Sequence, residues 1–249
     1  MRKMNTLFQK VLRYDKTQLL SALERLGRNI LLSDDSKRKE YDFAWRHLFS
    51  CGKILDIGCG VGLFLNYSSD RIIGIDINPH NVDFCKTKGF QAFVGDALKL
   101  DFPESSFDGV FSSHVMHVFT PGQAMTFVKE MCRVCKPGGK IVISLKHDHR
   151  YFWQNPENSR PYPPSVFYAM SSQQPSTDKP RLNPMWEDLP QFEPVDINYR
   201  RPPLYYFMMY GSRNRMRVSA AFNTLQCKLG LRKYWTFDVY SIVLENRKQ

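Results

Sequence analysis

The sequence predicts an α/β fold: a doubly wound, mostly parallel sheet with a helical N-terminal extension and C-terminal insertions. Two observations carry this. Short apolar segments at 53–57, 71–76, 91–94, 107–113 and 140–145 alternate with helical patterns that begin after Val61, Pro79 and Pro121. Crossovers of that length favour parallel strands, and a ligand then belongs at their carboxyl ends, where the strand order reverses. The second observation is the stretch from Lys53 to Gly62, in which an apolar run holding Asp56 is followed by Gly58, Gly60 and Gly62 at alternate positions. Glycines there let the backbone turn tightly and approach a ligand that any Cβ would block.

The elements follow in order. Residues 5–32 carry Leu7, Val11, Leu12, Leu19, Leu20, Leu23 and Leu26 in a helical pattern broken near Asp15, and 36–49 reads as a second helix. Ile54, Leu55 and Ile57 bracket Asp56 as a buried parallel strand does. A helix is expected from about Val61, its free N–H groups facing the crevice. The next strand, Ile72-Ile-Gly-Ile-Asp76, ends in an acid twenty residues after Asp56, placed to accept ribose hydroxyls. The dinucleotide pattern G-x-G-x-x-G is not met, because Leu63 stands at its last position. That weakens a nicotinamide reading.

Three further blocks decide between nucleoside cofactors: Phe93-Val-Gly-Asp-Ala97, Phe107-Asp-Gly-Val-Phe-Ser-Ser-His114 and Val134-Cys-Lys-Pro-Gly-Gly-Lys-Ile-Val-Ile143. With them the chain resembles the class I S-adenosylmethionine-dependent methyltransferases, most closely the type 11 group, without a gap from about Lys53 to Lys146. The resemblance implies a Rossmann-like sheet of seven strands, with Phe192 to Tyr199 as the sixth and Trp235 to Glu245 as the antiparallel last. It also implies S-adenosylmethionine as cofactor. Asp56 would hold the methionine amino group, and Gly58, Cys59 and Gly60 would line the methionine part. Asp76 would bind the ribose, and Ile77 would lie against adenine. Asp96 and Ala97 would read the adenine edge, and Ser113 and His114 would sit beside the sulfonium. The bland alternative for Asp76 and Asp96 is a turn or helix cap.

Methyl transfer needs alignment and, for a hydroxyl acceptor, a base. His147 and His149 beyond the fifth strand are the candidate bases, with Asp148 orienting either; solvated imidazoles and a capping Asp148 are the alternative. His114 and His117 are expected to line the acceptor pocket, although a packing role suits His117 equally. No metal site is expected, since Ser112-Ser-His-Val115 lacks the acids a magnesium site needs there. Cys132 and Cys135 have no second ligand pair and read as apolar fillers.

The segment Phe152 to Tyr162 resembles one in type 11 enzymes of cell-surface glycan clusters. It keeps Pro156, Arg160, Pro161 and Tyr162 but has Asn155 and Asn158 where that pattern has an acid and a histidine. Arg160 and Tyr162 are therefore expected to bind substrate. Pro163 to Met170 reads as a helix, and the proline-rich stretch from Ser171 to Pro190 as a loop over the pocket.

Charge is uneven. Of the net +11, a segment charge of +8 falls between Arg200 and Lys233, which holds no acid. Beside the run from Leu204 to Tyr210, and a helical pattern from Arg213 to Leu229, these charges suit peripheral contact with an anionic membrane, or an ordinary cap helix with solvated arginines. Nucleic acid is the rival for a basic chain. It is disfavoured here because the Asn- or Asp-Pro-Pro-aromatic run of amino-methylating enzymes is absent.

The expectation is one domain in three parts: an N-terminal cap (1–50), a cofactor core (51–147) and acceptor-side additions that complete the sheet (148–249). The enzyme is expected to be metal-independent, to methylate oxygen in a saccharide or glycolipid, and to reside in the cytoplasm at the inner membrane face. Its alternatives are a methyltransferase of a quinone, lipid or natural-product metabolite, and a cofactor-binding protein without catalysis. No apolar run approaches the roughly 20 residues of a membrane span.

Overall fold

The computed structural model describes residues 35–146, 155–171, 190–200 and 239–247. The chain divides into two units, 39–200 with 237–249 and 1–38 with 201–236, and apart from 35–38 the described residues belong to the first. The helical pattern at 5–32, the His147–Asp148–His149 run, positions 172–189 of the proline-rich loop and the basic stretch from 201 to 233 lie outside the described residues.

Seven strands form one sheet: β1 (Ile54–Ile57), β2 (Ile72–Asp76), β3 (Ala92–Val94), β4 (Phe107–Ser113), β5 (Cys135–Lys146), β6 (Phe192–Arg200) and β7 (Val239–Asn246). Their spatial order is β3-β2-β1-β4-β5-β7-β6. The first five run parallel, and β7 is antiparallel to both β5 and β6. The order reverses between β1 and β4, and folds of this kind place their ligand at the carboxyl ends of the strands beside such a switch point.

Side-chain alternation builds a core on each face. Leu55, Ile57, Val110, Ile141, Ile143, Ile242 and Leu244 point to the face covered by α3 (Pro121–Val134) and α4 (Ser165–Met170). Ile54, Phe111, Val142 and Val243 point to the other, beneath α1 (Asp35–Leu48) and α2 (Pro79–Thr87). Each such side chain fully buried stabilises the fold by roughly 1.5–3 kcal/mol. Local signals start the helices. Asn78 caps α2 by accepting from the His80 N–H, and Thr120 and Gln123 form a reciprocal capping box on α3, each with proline at the first helical position.

Two elements differ from expectation. Only a single 3₁₀ turn, Leu65–Tyr67, follows the glycine loop in place of a helix from Val61. Gly62 has φ +78°, and the hydrogen bonds of Ser68 Oγ to Asp70 and of Arg71 Nε to Ser68 end the turn before a second can form. Strand β5 starts at Cys135 instead of Lys140, because Asn246 Nδ2 donates to the carbonyls of Cys132, Cys135 and Lys136 and pins that corner to β7. Cys132 and Cys135 are both buried in the core.

Candidate active site

Parallel strands place the ends of β1, β2, β3 and β4 along one edge, and backbone bonds lock the loops there. Gly58 and Cys59 N–H both donate to Ile75 O, at 2.8 and 2.9 Å, and Gly95 N–H donates to Asp76 O at 3.1 Å. Asp56 and Asp76 meet at this edge. Asp56 is 3% exposed, and its carboxylate makes no hydrogen bond among the described residues. Burial, and then the Asp76 charge, push its carboxyl up to about 8. Asp76 is also buried, but it is well held. Its Oδ2 accepts from Gly60 N–H at 2.8 Å, and its Oδ1 from Asn78 N–H at 2.9 Å and Asn81 Nδ2 at 3.2 Å. This carboxylate thereby fixes the glycine loop to β2.

Gly58 has φ +75°, and a Cβ there would lie 2.3 Å from Val115 Cγ2. The glycine is required on both counts, since the left-handed region disfavours any side chain and Val115 occupies the space. Gly58→Ala is expected to cost about 2–5 kcal/mol, from overpacking and from backbone strain. Chemical denaturation reads this loss, and Val115→Ala on top should recover only the packing part. Around Gly60, in contrast, a Cβ would meet nothing within 4 Å. Open space borders the loop there.

Beyond β2, Ile77 is 75% exposed, an apolar side chain standing at the lip. Asp96 is exposed and accepts from Leu98 N–H at 2.8 Å, an Asx turn that holds Ala97 in the same loop. Asp56, Asp76 and the 95–97 loop thus share one edge, as the sequence leads one to expect.

At the end of β4, His114 has φ +58°, unusual for a residue with a side chain, and its N–H donates to Ser144 O at 2.8 Å. Ser113 Oγ donates to Glu40 Oε1 at 2.5 Å, and His114 Nε2 lies 3.3 Å from Glu40 Oε2. Glu40 is buried and belongs to α1, which a ring cluster of Tyr41, Trp45, Phe64, Tyr67 and Phe111 fastens over the sheet. Glu40 is not among the site residues expected from the sequence. Its one signal was spacing, because positions 40, 43, 44 and 48 fall on the apolar side of the helix.

His117 is 5% exposed, and burial, then the nearby His114, lower its imidazole to about 4. Its carbonyl accepts from Ser159 N–H at 2.9 Å, and Tyr162 OH donates to Phe119 O at 2.8 Å. Tyr162 is buried, which raises its phenol to about 12. The described part of the 155–162 segment therefore braces the loop after β4. Arg160 is exposed, its guanidinium 5.3 Å from the centre of the Tyr162 ring.

Residues 55–143 match the family described as a methyltransferase domain, the type 11 group. Residues 55–143 carry a methyltransferase domain. The fold of the chain agrees with a solved S-adenosylmethionine-dependent methyltransferase from Archaeoglobus fulgidus, at TM-score 0.58 and 22% identity over 87% of this chain and 99% of that one. Among curated relatives, the human probable tRNA methyltransferase 9B is 36% identical over 104 residues, 40% of this chain and 23% of that protein. The tRNA (carboxymethyluridine(34)-5-O)-methyltransferase alkbh8 of Xenopus tropicalis is 37% identical over 92 residues, 36% of this chain and 15% of that protein. A fatty-acid O-methyltransferase of Mycolicibacterium smegmatis is 30% identical over 101 residues, 37% of this chain and 36% of that protein. The chain thus spans about a third or less of each.

These relatives correct the expected partners. Two act on tRNA by name, so the expectation of a glycan acceptor with nucleic acid disfavoured does not stand. The reason is physical: the missing base-methylation run speaks only to amino-group chemistry, whereas these are, by name, oxygen and tRNA enzymes. The membrane reading of 200–233 falls on a segment that lies, from 201 on, outside the described residues. No helix among the described residues is long and apolar enough to cross a membrane.

S-adenosylmethionine is the methyl donor of this domain class, and the residues present fit it. A buried Asp56 carboxylate without a hydrogen bond suits an ammonium group, and the open backbone at Gly60 leaves room for the chain that carries it.

Proposed function

We propose that the protein is a metal-independent, S-adenosylmethionine-dependent methyltransferase acting on oxygen in an RNA substrate of the tRNA class. The observation that carries the reading is the pairing of Asp56 and Asp76 beside an open glycine loop, inside a stretch that matches a methyltransferase domain. When bound, the cofactor supplies a methyl group on a positively charged sulfur. Asp56 then pairs with its ammonium, Asp76 accepts from ribose hydroxyls, Ile77 covers the adenine, and the 95–97 loop reads the base edge. Gly58, Cys59 and Gly60 bound the methionine part, and Ser113 and His114 face the reacting end. Alignment of this kind can supply roughly 7–11 kcal/mol of the barrier.

Two relatives support the RNA half of the proposal by name, and so does the charge. Eight basic residues and no acid between 200 and 233 suit a phosphate backbone. The runner-up is a lipid carboxylate, favoured by the fatty-acid relative. Incubation with methyl-labelled cofactor and separate tRNA, lipid and carbohydrate fractions distinguishes them. Label is expected in the tRNA fraction, removed by nuclease, with binding that weakens steeply as salt rises. Label confined to lipid, or RNA binding indifferent to salt, rejects the RNA acceptor.

A further inference from the structure

The Asp76 carboxylate stands at the edge of the sheet with most of its accepting capacity already in use. Its Oδ1 accepts from Asn78 N–H at 2.9 Å and from Asn81 Nδ2 at 3.2 Å, and its Oδ2 accepts from Gly60 N–H at 2.8 Å. A carboxylate offers about four lone-pair directions, shared evenly between its oxygens. Oδ1 is therefore filled, and Oδ2 has a single direction left. A ribose brings a pair of neighbouring hydroxyls, so the second of them needs a place that one of the present donors holds.

These donors are not equal. Gly60 and Asn78 donate through the main chain, one from the glycine loop and the other from the cap of α2, and neither can turn away without unmaking its element. Asn81 donates through a side chain in the first turn of α2, is only partly buried, and makes the longest of the three bonds. Its carboxamide has no other hydrogen bond among the described residues, so this contact alone sets its direction. Asn81 is the donor that can yield.

We propose that Asn81 is a second ribose-binding residue of the cofactor site. One hydroxyl takes the open direction on Asp76 Oδ2. The other enters between Asp76 and Asn81, donating to Oδ1 while its own oxygen accepts from Asn81 Nδ2. The amide thereby exchanges a carboxylate acceptor for a hydroxyl acceptor, and carboxylate, amide and hydroxyl all stay paired. Without the amide the hydroxyl oxygen loses its donor, and Oδ1 has to shed a water before it can accept. Asn81 therefore favours a full ribose over a deoxy sugar. This inference rests on the reading of the site as one for S-adenosylmethionine, and it adds a contact that the ribose assignment of Asp76 does not contain.

Calorimetric titration of the full-length chain with S-adenosylhomocysteine, the demethylated cofactor, and with its 2′-deoxy and 3′-deoxy analogues tests the assignment. Asn81→Ala is expected to bind S-adenosylhomocysteine about 3- to 10-fold more weakly than wild type, the worth of one net hydrogen bond. At least one of the deoxy analogues should bind both proteins alike, because the hydroxyl that meets Asn81 is already gone. Equal weakening for all three ligands would mean that Asn81 only orients Asp76, and unchanged or tighter binding of S-adenosylhomocysteine that it meets no hydroxyl; either result overturns the proposal. The wild-type protein supplies a readout independent of how the variant folds. Its Asn81 side-chain amide signal in nitrogen NMR should move on adding S-adenosylhomocysteine and stay near its free position with at least one deoxy analogue. A signal that answers all three ligands alike, or none, overturns the insertion. Wild-type protein that binds neither S-adenosylmethionine nor S-adenosylhomocysteine rejects the underlying cofactor reading instead.

Discussion

Asp76→Ala is expected to weaken S-adenosylmethionine binding by about 100-fold or more, the product of losing two charge-assisted hydrogen bonds of about 1.5–3 kcal/mol each. The carboxylate is buried at the end of β2 and already accepts from Gly60 N–H, Asn78 N–H and Asn81 Nδ2. These bonds set its orientation before any ribose arrives, so little freedom remains to be lost on binding. Alanine removes both the acceptor and the anchor of the glycine loop. An asparagine side chain at this position would keep one oxygen while turning an N–H₂ toward one of the donors that Asp76 now serves; Asp76→Asn is therefore expected to fall between wild type and Asp76→Ala. Calorimetric titration reads both, and affinity within a few-fold of wild type in Asp76→Ala would falsify the ribose assignment.

What was legible in the sequence is what depends on neighbours along the chain. Apolar runs such as Ile54 to Ile57 and Phe107 to Ser113 announced buried parallel strands, because both faces of each are covered. Helical patterns after Pro79 and Pro121 announced the two helix starts, which the caps Asn78 and Thr120 then fix. Asp56 and Asp76 were placed at one edge because strands of like direction end together. The turn after Gly62 departs from the expected helix for a local reason, a left-handed glycine followed by a Ser68–Asp70–Arg71 bond set that outweighs helical periodicity.

Glu40 was invisible for a different reason. A glutamate on an amphipathic helix reads as solvated, and only the packing of α1 over β4 turns it inward onto Ser113 and His114. The backbone of His114 was equally hidden, since no local pattern asks a histidine to adopt φ +58°. The acceptor was hardest. Basic charge attracts lipid headgroups and nucleic-acid phosphates alike, so the segment between 200 and 233 stated a sign without a partner.

Binding of S-adenosylmethionine at pH 7 is expected to release a proton, close to one per site, and to tighten as pH rises toward 8. The free protein holds Asp56 buried beside Asp76, and its carboxyl is raised to about 8 from an ordinary 3.8. At neutral pH the group is therefore mostly protonated. An ammonium placed against it favours the carboxylate, so the proton leaves on binding. Above about 8 the carboxylate is already formed, and the pH dependence flattens. The same displacement acts on folding with a worked sign. Between 3.8 and about 8 the unfolded chain has lost the proton that the folded chain keeps, so the stability of the free protein falls as pH rises through that window. Below it both states are protonated and no penalty applies; above it both are ionised and the loss is complete, a few kcal/mol at roughly 1.4 kcal/mol per unit. Asp56→Asn removes the titrating group. It should flatten the stability profile, abolish proton release and weaken cofactor binding by removing the ammonium's partner. Calorimetry in two buffers of different ionisation heat counts the proton, and denaturation between pH 5 and 9 follows the stability. Equal heats in both buffers for the wild-type protein would mean that Asp56 is already ionised before binding, or that no cation is placed against it.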